Sequence, residues 1–390
     1  MMTQFSPPTT QRGPMTAKIT FFPLGNADTT RIDLANGQTV LIDYANMRCA
    51  DDNSDRRCDL PVLLRRALDD TYRDDYDVVC FSHLDTDHVK GAADFFWFRH
   101  ASKYQGGGRI KMNEMWVPAA VITEEGLDGD ARVIRQEARY RLEKGEGIKV
   151  FSRPARLHDF LASRGLTVAD RAHCIVDAGQ TVPGFSKNGA SRAEFFVHSP
   201  FAWRVNDREV EDRNQDSIVF QVTFDEGGNE TYAIFGSDVD YDTLSKIVLT
   251  TKRHGREDRL LWDVLKLFHH CSYLSLGPER GTDETVAVPD VKWLFEDRSR
   301  DGCIIVSPSW PIPAKGTTED TDVQPPHRQA ANHHRRVVDD KAGDFKVTME
   351  SPNATSPKPL EVEITSRGTR LSVVAPTVIG TITSTPARAG

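Results

Sequence analysis

The chain has 390 residues, of which 38% are hydrophobic and 27% charged, so it can form one large α/β domain or two domains and does not have the composition of a disordered or membrane protein. Its net charge of −8 argues against a broad basic surface for nucleic acid, but not against a local basic groove or metal ions that neutralise phosphates. The first 18 residues lack the apolar core of a signal peptide, no later run has the length of a membrane span, and the six cysteines include no Cys-X-X-Cys pair. We therefore expect a cytoplasmic protein that does not associate with membranes.

The first half of the chain is predicted to begin with antiparallel strands. After a flexible tail over residues 1–15, the pattern predicts strands at 19–24, 30–34 and 39–44, a helix at 60–68 and an apolar strand around Val78. Hairpins that give way to helical crossovers indicate a sheet that starts as a meander and continues through strand–helix units.

Residues 100–195 differ in texture, and we interpret them as an insertion, a helical cap beside the functional site. The segment contains a Gly-rich break at 106–108, a strand near 115–117 and a charged helix at 131–144. Its arginines could hold an anionic substrate, but a solvated helix face balanced by glutamates is the favoured interpretation. They are Arg132, Arg135, Arg139, Arg141, Arg153 and Arg156.

The second half is predicted to repeat the pattern of hairpin followed by helix and strand. Strands are predicted at residues 195–197, 217–224, 231–235, 260–268 and 303–307, with a helix at 241–248. Residues 311–335 are predicted to form a loop, and residues 345–374 return to strand character. The last residues, 385–390, are predicted to be a C-terminal tail.

One stretch carries most of the chemistry. A short apolar run at residues 78–81 is followed by His83, Asp85, Asp87 and His88. Imidazole nitrogens with carboxylate oxygens suit zinc, manganese or iron(II), and the spacing allows one ion on the first pair and a second ion on the last. The alternative is that these polar residues only cap the next helix, with Asp87 as the cap.

Two other predicted strands end in the same kind of residue. One is followed by Asp238 and Asp240, the other by His269 and His270. With the first stretch they are enough for two ions about 3.5–4 Å apart, bridged by a carboxylate and a water. Because such a pair lowers the pKa of the bridging water, hydroxide is available at neutral pH, and the predicted chemistry is hydrolysis.

Together these motifs resemble the metallo-β-lactamase superfamily, most closely the hydrolase domain of the ComEC DNA-uptake proteins and its free-standing soluble relatives. The matching segments are residues 24–28, 39–43, 83–91, 214–217, 236–238 and 264–272. The resemblance implies an α/β fold of the αβ/βα four-layer type, with two mixed sheets face to face, helices outside and the metals at one edge. The hydrolase domain would cover residues 16–384, with the insertion at about 100–195.

By the same resemblance, the site residues take specific roles. His83 and Asp85 would hold a first ion, Asp87, His88 and one of His269 or His270 a second, and Asp238 would bridge, with Asp240 as its rival. The ions would be zinc or manganese. We favour His270 as the ligand and His269 as an acid that faces the phosphate, so Asp87 and His269 are the candidate catalytic residues.

Four further positions match or depart from the pattern. Asn214, Lys266 and His327 are candidate substrate contacts, although Lys266 is more simply a strand residue and His327 a loop residue. Cys271 stands where the family has glycine, and we expect a packed thiol rather than a soft metal ligand.

The leading functional hypothesis is a dinuclear-metal phosphodiesterase or nuclease, in which a metal-bridging hydroxide attacks a phosphodiester of DNA, RNA or a nucleotide. The same centre could instead hydrolyse a small ester, lactone, thioester or β-lactam, which the acidic composition favours over long polyanions. A third hypothesis is a catalytically silent metal-binding module. A homo-oligomer or an operon-encoded protein partner is compatible with each of them.

Overall fold

The structure is a computed structural model that describes residues 16–201 and 213–373. The predicted tails at 1–15 and 385–390 lie outside these residues. Within the described ranges the chain forms two mixed β-sheets. No helix in these ranges is long and apolar enough to cross a membrane.

The first sheet has nine strands in the order β15-β14-β1-β2-β3-β4-β5-β6-β7. Its antiparallel part comprises β1 to β3 and the C-terminal hairpin, and β3 to β7 run parallel. The strands are β1 Lys18–Phe21, β2 Thr30–Asp33, β3 Thr39–Ile42, β4 Asp75–Cys80, β5 Lys111–Pro118, β6 Ile148–Phe151, β7 Ile175–Val176, β14 Leu360–Thr365 and β15 Gly368–Val373.

The second sheet has six strands in the order β13-β12-β11-β10-β9-β8. It follows the same plan, because β8 to β10 are antiparallel and β10 to β13 are parallel. The strands are β8 Ala193–Ser199, β9 Val219–Glu226, β10 Asn229–Phe235, β11 Trp262–Lys266, β12 Ser299–Ser307 and β13 Asp344–Val347.

Helices cover the outer face of each sheet. They are α1 Leu60–Asp69, α2 Thr86–Val89, α3 Ala92–Phe95, α4 Ala119–Thr123, α5 Gly129–Lys144, α6 Ala155–Ser163, α7 Tyr241–Arg253, α8 Pro289–Glu296 and α9 Arg328–Asp340. Apolar side chains of α1, α4, α5 and α6 pack on the first sheet, and those of α7, α8 and α9 pack on the second.

The inner faces of the two sheets enclose a separate apolar core. Trp116 of β5 lies in it, with Phe151 of the first sheet and Phe195 and Phe220 of the second in edge-to-face contact around its ring. Helix, sheet, sheet and helix therefore form four layers, and the prediction of an αβ/βα sandwich with two mixed sheets is confirmed.

The segment predicted to be a helical cap holds both helices and sheet strands. Residues 100–195 contain α4, α5 and α6, and they also supply β5 to β7 of the first sheet. The favoured interpretation of helix α5 as a solvated charged face is wrong for its inner side. Glu137 and Arg141 are both buried and ion-paired, with Arg141 Nε 2.6 Å from Glu137 Oε1.

A second correction concerns residues 311–335, which were predicted to be a loop. Helix α9 begins at Arg328 and buries Ala331 and Val337 against the second sheet. The prediction failed because the buried side of this helix also carries His333 and His334, which disguise its apolar stripe.

Candidate metal centre

The candidate site lies where parallel strands of both sheets end at one edge of the sandwich. Asp43 follows β3, His83 follows β4 with Asp87 and His88 in the adjoining α2, Asp238 follows β10, and His269 and His270 follow β11. Carboxyl ends of parallel strands share one edge of a sheet, so face-to-face packing of two sheets brings these residues together. Asp28, in the turn between β1 and β2, completes the group.

Four buried residues form the centre of the cluster: Asp28, His88, Asp238 and His270 each place a ligand atom within 4.8 Å of the others. His88 Nε2 lies 3.4 Å from Asp238 Oδ1, and His270 Nε2 lies 3.6 Å from Asp238 Oδ2. His83 joins from one side, with Nε2 4.0 Å from Asp238 Oδ2. Asp238 is therefore the residue around which the imidazoles gather.

Each of the three imidazoles is held by its other nitrogen. His88 Nδ1 donates to Asp43 Oδ2 at 2.8 Å, and His270 Nδ1 donates to the carbonyl oxygen of Pro308 at 2.9 Å. His83 Nδ1 lies 3.2 Å from the hydroxyls of Ser82 and Ser237. A hydrogen bond that places the proton on Nδ1 directs the Nε2 lone pair outward, which is how metal-ligating histidines are oriented.

The two serine hydroxyls fix the direction of that hydrogen bond. Ser237 Oγ donates to Ser82 Oγ at 2.9 Å, and Ser82 Oγ donates to Asp43 Oδ2 at 2.7 Å. Because both hydroxyl protons are used, the hydroxyl oxygens accept from His83 Nδ1. Asp43 thus orients His88 directly and His83 through a serine.

The loop that presents His270 has an unusual backbone. His269, His270 and Cys271 have φ of 44°, 51° and 67°, a region that residues other than glycine rarely adopt. Three such residues in succession turn the chain so that the His270 ring points into the cluster. The conformation also explains why glycine suits position 271, and burial raises the pKa of the Cys271 thiol to about 12, as expected for a packed thiol.

The electrostatics of the cluster couple its acids and bases. Burial opposes charge on every member, yet Asp238 and its neighbouring carboxylates raise the pKa of His270 to about 10 and raise the pKa of His88 as well. The pKa of Asp238 is lowered because the facing imidazoles outweigh its burial. Burial, together with the adjacent charge of His88, lowers the pKa of His83 to about 4. Without a cation, protons on His88 and His270 balance the buried carboxylates.

Lys266 lies on the buried side of this cluster. Its Nζ lies 2.6 Å from Asp28 Oδ2 and donates to the carbonyl oxygen of Gly236 at 2.6 Å, and its side chain is 1% exposed. Burial raises the pKa of Asp28 by more than Lys266 lowers it. Lys266 is therefore a strand residue, as predicted, at the end of β11, and it is not open to a ligand from solvent.

The predicted carboxylates separate into two groups. Asp87 Oδ2 lies 3.2 Å from His270 Nε2, and Asp85 Oδ2 lies 3.7 Å from His83 Nε2, so both border the cluster. Asp240 instead caps helix α7, where its Oδ1 accepts from the backbone N of Thr243 at 2.9 Å. The structure therefore brings Asp238, and not Asp240, into the centre.

The remaining predicted residues lie at its margin. His269 is 26% exposed, with Nε2 4.0 Å from Asp238 Oδ2, so it is the outer member of the histidine pair. Asn214 accepts at its carbonyl oxygen from the Ser217 hydroxyl, in the loop that binds the Ser82 carbonyl through the Ile218 amide. His327 is bound at both ring nitrogens to the backbone of Tyr273 and Val323.

Sequence reasoning missed three residues of this region: Asp28, Asp43 and Arg213. Asp43 directly follows a buried strand, which is the same signal that identified His83 and Asp238. Asp28 lies in a turn and meets Lys266 across 238 positions, a relation that no local pattern reveals. Arg213 Nη1 lies 3.0 Å from Asp85 Oδ1.

The donor set fits a divalent cation. Nε2 of His83, His88 and His270 and an oxygen each of Asp28 and Asp238 are buried and make no hydrogen bond. Buried polar atoms without partners are rare, and here they converge on one another. Neutral imidazoles with carboxylates are the ligands of zinc, manganese and iron(II). Asp28, His88, Asp238 and His270, whose ligand atoms lie within 4.8 Å of one another, would hold a cation, and His83 lies beside them.

Comparisons with known proteins add remote similarities. The chain matches no protein-family model and no curated protein. Among solved structures it is similar to a diphosphatase from the PhnP family, with 12% identity over 81% of this chain and 96% of the diphosphatase, at a TM-score of 0.30. It is also similar to unliganded yeast PDE1, with 11% identity over 85% of this chain and 96% of PDE1, at a TM-score of 0.39.

Proposed function

We propose that this chain is a metal-dependent hydrolase, and specifically a dinuclear-metal phosphodiesterase that acts on nucleic acid or a nucleotide. The observation that carries the proposal is the convergence of three buried imidazole Nε2 atoms, each without a hydrogen bond, on the Asp238 carboxylate. A site that leaves so many buried imidazole nitrogens and carboxylate oxygens without hydrogen bonds is suited to a ligand with positive charge. The similarity to ComEC-type motifs points to phosphodiesters as the substrate.

Each residue of the cluster has a task in this proposal. His83 and Asp85 would hold a first cation, Asp87, His88 and His270 would hold a second, and Asp238 would serve both. Zinc or manganese, when bound, lowers the pKa of water and neutralises phosphate oxygens. Asp43 keeps the Nε2 lone pair of His88 directed at the cluster, and Pro308 does the same for His270.

His269 is suited to a different task, because it is the exposed member of the histidine pair. Its Nε2 faces Asp238 at 4.0 Å while 26% of the side chain is open to solvent. A phosphodiester bound over the cluster needs a proton for its leaving oxygen, and we propose that His269 donates it. We do not assign substrate contact to Lys266, whose Nζ is enclosed by Asp28 and Gly236.

The test is cleavage by purified protein of labelled single-stranded DNA and of bis(p-nitrophenyl) phosphate, after manganese or zinc is restored. The Asp87→Ala variant is expected to lose cleavage. Asp242→Asn, which removes a carboxylate of similar type on the exposed side of helix α7, is expected to retain it. Full activity of Asp87→Ala would remove the proposal.

Two further outcomes lead elsewhere. Metal binding without phosphodiester cleavage, but with turnover of a small ester, lactone, thioester or β-lactam, would support the alternative hydrolase. Less than one tightly bound metal per chain and no turnover would support a silent binding module.

Size-exclusion chromatography with light scattering tests a homo-oligomer, and affinity purification from the native host tests an operon-encoded partner.

A further inference from the structure

We infer that Arg213, braced by Glu124, is an anion-binding residue at the rim of the metal centre and contacts the phosphate of the substrate. The inference rests on the phosphodiesterase proposed above, which it deepens by naming a binding residue outside the metal ligands.

One edge of the Arg213 guanidinium is bound by a carboxylate that does not belong to the cluster. Its Nε donates to Glu124 Oε1 at 2.6 Å, and its Nη2 lies 2.5 Å from the same oxygen. Glu124 follows helix α4, and its side chain is only 14% exposed. The guanidinium plane is therefore fixed by an anchored partner, which reduces the entropy that a ligand contact would cost.

The opposite edge of the guanidinium faces the metal centre. Arg213 Nη1 donates to Asp85 Oδ1 at 3.0 Å, and Asp85 Oδ2 lies 3.7 Å from His83 Nε2. Asp85 is thus shared between Arg213 and the first cation position. Asp85 would bond less strongly to Arg213 Nη1 if it also held a metal ion, and this edge of the guanidinium could then bind another anion.

Exposure distinguishes Arg213 from Lys266, which among the described residues is also a cationic side chain at the cluster. The Arg213 side chain is 38% exposed, and that of Asp85 is 34% exposed, so both can be reached from solvent. The Lys266 side chain is 1% exposed and its Nζ is bound to Asp28. A phosphate that arrives from solvent can meet Arg213 and cannot meet Lys266.

The chemistry favours a phosphate over a neutral carbonyl substrate. A guanidinium offers parallel N–H donors that match two phosphate oxygens, and such charge-assisted contacts are stronger than neutral ones. The rim of the cluster carries the carboxylates of Asp85 and Asp87, which repel an anion. A fixed positive group at its rim lets an anionic diester approach and orients it.

The experiment measures anion binding separately from turnover. Full-length protein loaded with manganese is titrated with inorganic phosphate by calorimetry, and the metal content of each variant is measured by mass spectrometry. Arg213→Gln is expected to raise the phosphate Kd about tenfold with the metal content unchanged. The phosphate Kd of Arg213→Lys is expected to lie between those of the wild type and Arg213→Gln. Glu124→Gln is expected to raise the Kd by a smaller factor than Arg213→Gln.

A matched control is Arg300→Gln. Arg300 is 42% exposed and is paired with Asp263. It is the second residue of β12, so it lies at the end of that strand opposite the metal centre. Its replacement is expected to leave the phosphate Kd unchanged. For the diester substrate, Arg213→Gln is expected to raise KM.

Several results would overturn the inference. An unchanged phosphate Kd in Arg213→Gln, or loss of metal in that variant, would show that Arg213 acts only as a partner of Asp85. If Arg213→Gln fails to fold, an unchanged Kd in both Arg213→Lys and Glu124→Gln has the same meaning. Phosphate binding through Arg213 without diester cleavage would contradict the proposed function alone, whereas cleavage with an unaltered KM would contradict the anion site alone.

Discussion

The buried ion pair of Lys266 and Asp28 leads to a specific prediction, because removing either side chain takes away the nearest opposite charge of the other. Lys266→Met deletes the ammonium that lies 2.6 Å from Asp28 Oδ2, and Asp28 itself is only 2% exposed. The remaining carboxylate then loses its nearest positive group and either stays charged beside the more distant His88 Nε2, 3.9 Å away, or takes up a proton. Either way, we expect a large loss of stability at pH 7.

The magnitude follows from how buried pairs behave. Removing one partner of such a pair costs about 3–5 kcal/mol, while replacing both with neutral groups of similar size is often neutral or stabilising. Burial already raises the pKa of Asp28 in spite of Lys266, so its charged form is costly even when paired. We therefore expect Lys266→Met to lose about 3–5 kcal/mol and the double variant with Asp28→Asn to remain within about 1 kcal/mol of the wild type.

The assay is urea unfolding followed by circular dichroism, with EDTA present so that no cation substitutes for the lysine. Lys18 and Glu361 provide a control pair, with Nζ 2.6 Å from Oε1 but side chains 32% and 20% exposed. A double-mutant cycle on this pair is expected to give a coupling free energy of under about 1 kcal/mol. The loss in Lys266→Met is also expected to shrink at lower pH, because Asp28 then takes up a proton. Additive losses in the double variant would refute this reasoning.

Three other changes have calculable outcomes. Glu137→Gln is expected to lower the free energy of unfolding by roughly 3 kcal/mol at pH 7, because hydrogen bonds and charge from its partners outweigh burial and lower the pKa of Glu137 from 4.5 to about 2. The contribution of the Glu137 carboxylate is present above pH 4.5 and is lost as the pH falls toward 2. Urea unfolding should therefore give the same stability for variant and wild type near pH 2. Gly236→Ala is expected to lose about 1–3 kcal/mol and to weaken metal binding, because a Cβ would lie 2.6 Å from Phe268 Cδ1 at the strand end that carries Asp238. Manganese binding at pH 7 is expected to release protons and to weaken as pH falls, because the pKa of His270 is about 10 in the metal-free protein and a ligand imidazole must be neutral.

Each of these has its own control. Glu143→Gln changes a more exposed carboxylate of the same helix, 36% exposed, and should cost under about 1 kcal/mol at every pH. Gly189→Ala meets its nearest neighbour at 3.3 Å and should be tolerated. Calorimetry of manganese binding in buffers of different ionisation enthalpy reports the protons, and equal apparent enthalpies in all buffers would contradict the third prediction.

Much of the metal centre could be predicted because its residues follow apolar strands directly. That position identifies His83, Asp238 and the pair of His269 and His270, and the packing of two sheets then brings them together. The choice between neighbours could not be made from sequence, since it depends on the turn: the positive φ at positions 269–271 directs His270 inward and leaves His269 outside. Arg213 could not be found, because its role depends on Glu124 from a distant helix.

The failures in the fold have a related cause. Helix α9 was missed because His333 and His334 occupy buried positions that an apolar pattern would assign to solvent. The inner side of helix α5 was misjudged because Arg141 is buried through bonds to Glu137 and to the carbonyl oxygens of Met112 and Gly147. Charge in the sequence predicts exposure only where no such partners exist.

The position of strand β1 has a consequence for synthesis of the chain. β1 lies between β2 and β14, so one of its edges is completed only by residues near the other end of the sequence, and 343 residues separate Lys18 from its partner Glu361. At about 5–20 residues per second, a ribosome needs roughly 20–70 seconds to make that stretch. During this time the edge of β1 is open to pairing with other strands, which is a recognised route to aggregation. The nascent chain therefore depends on protection of an N-terminal strand until its C-terminal neighbour emerges.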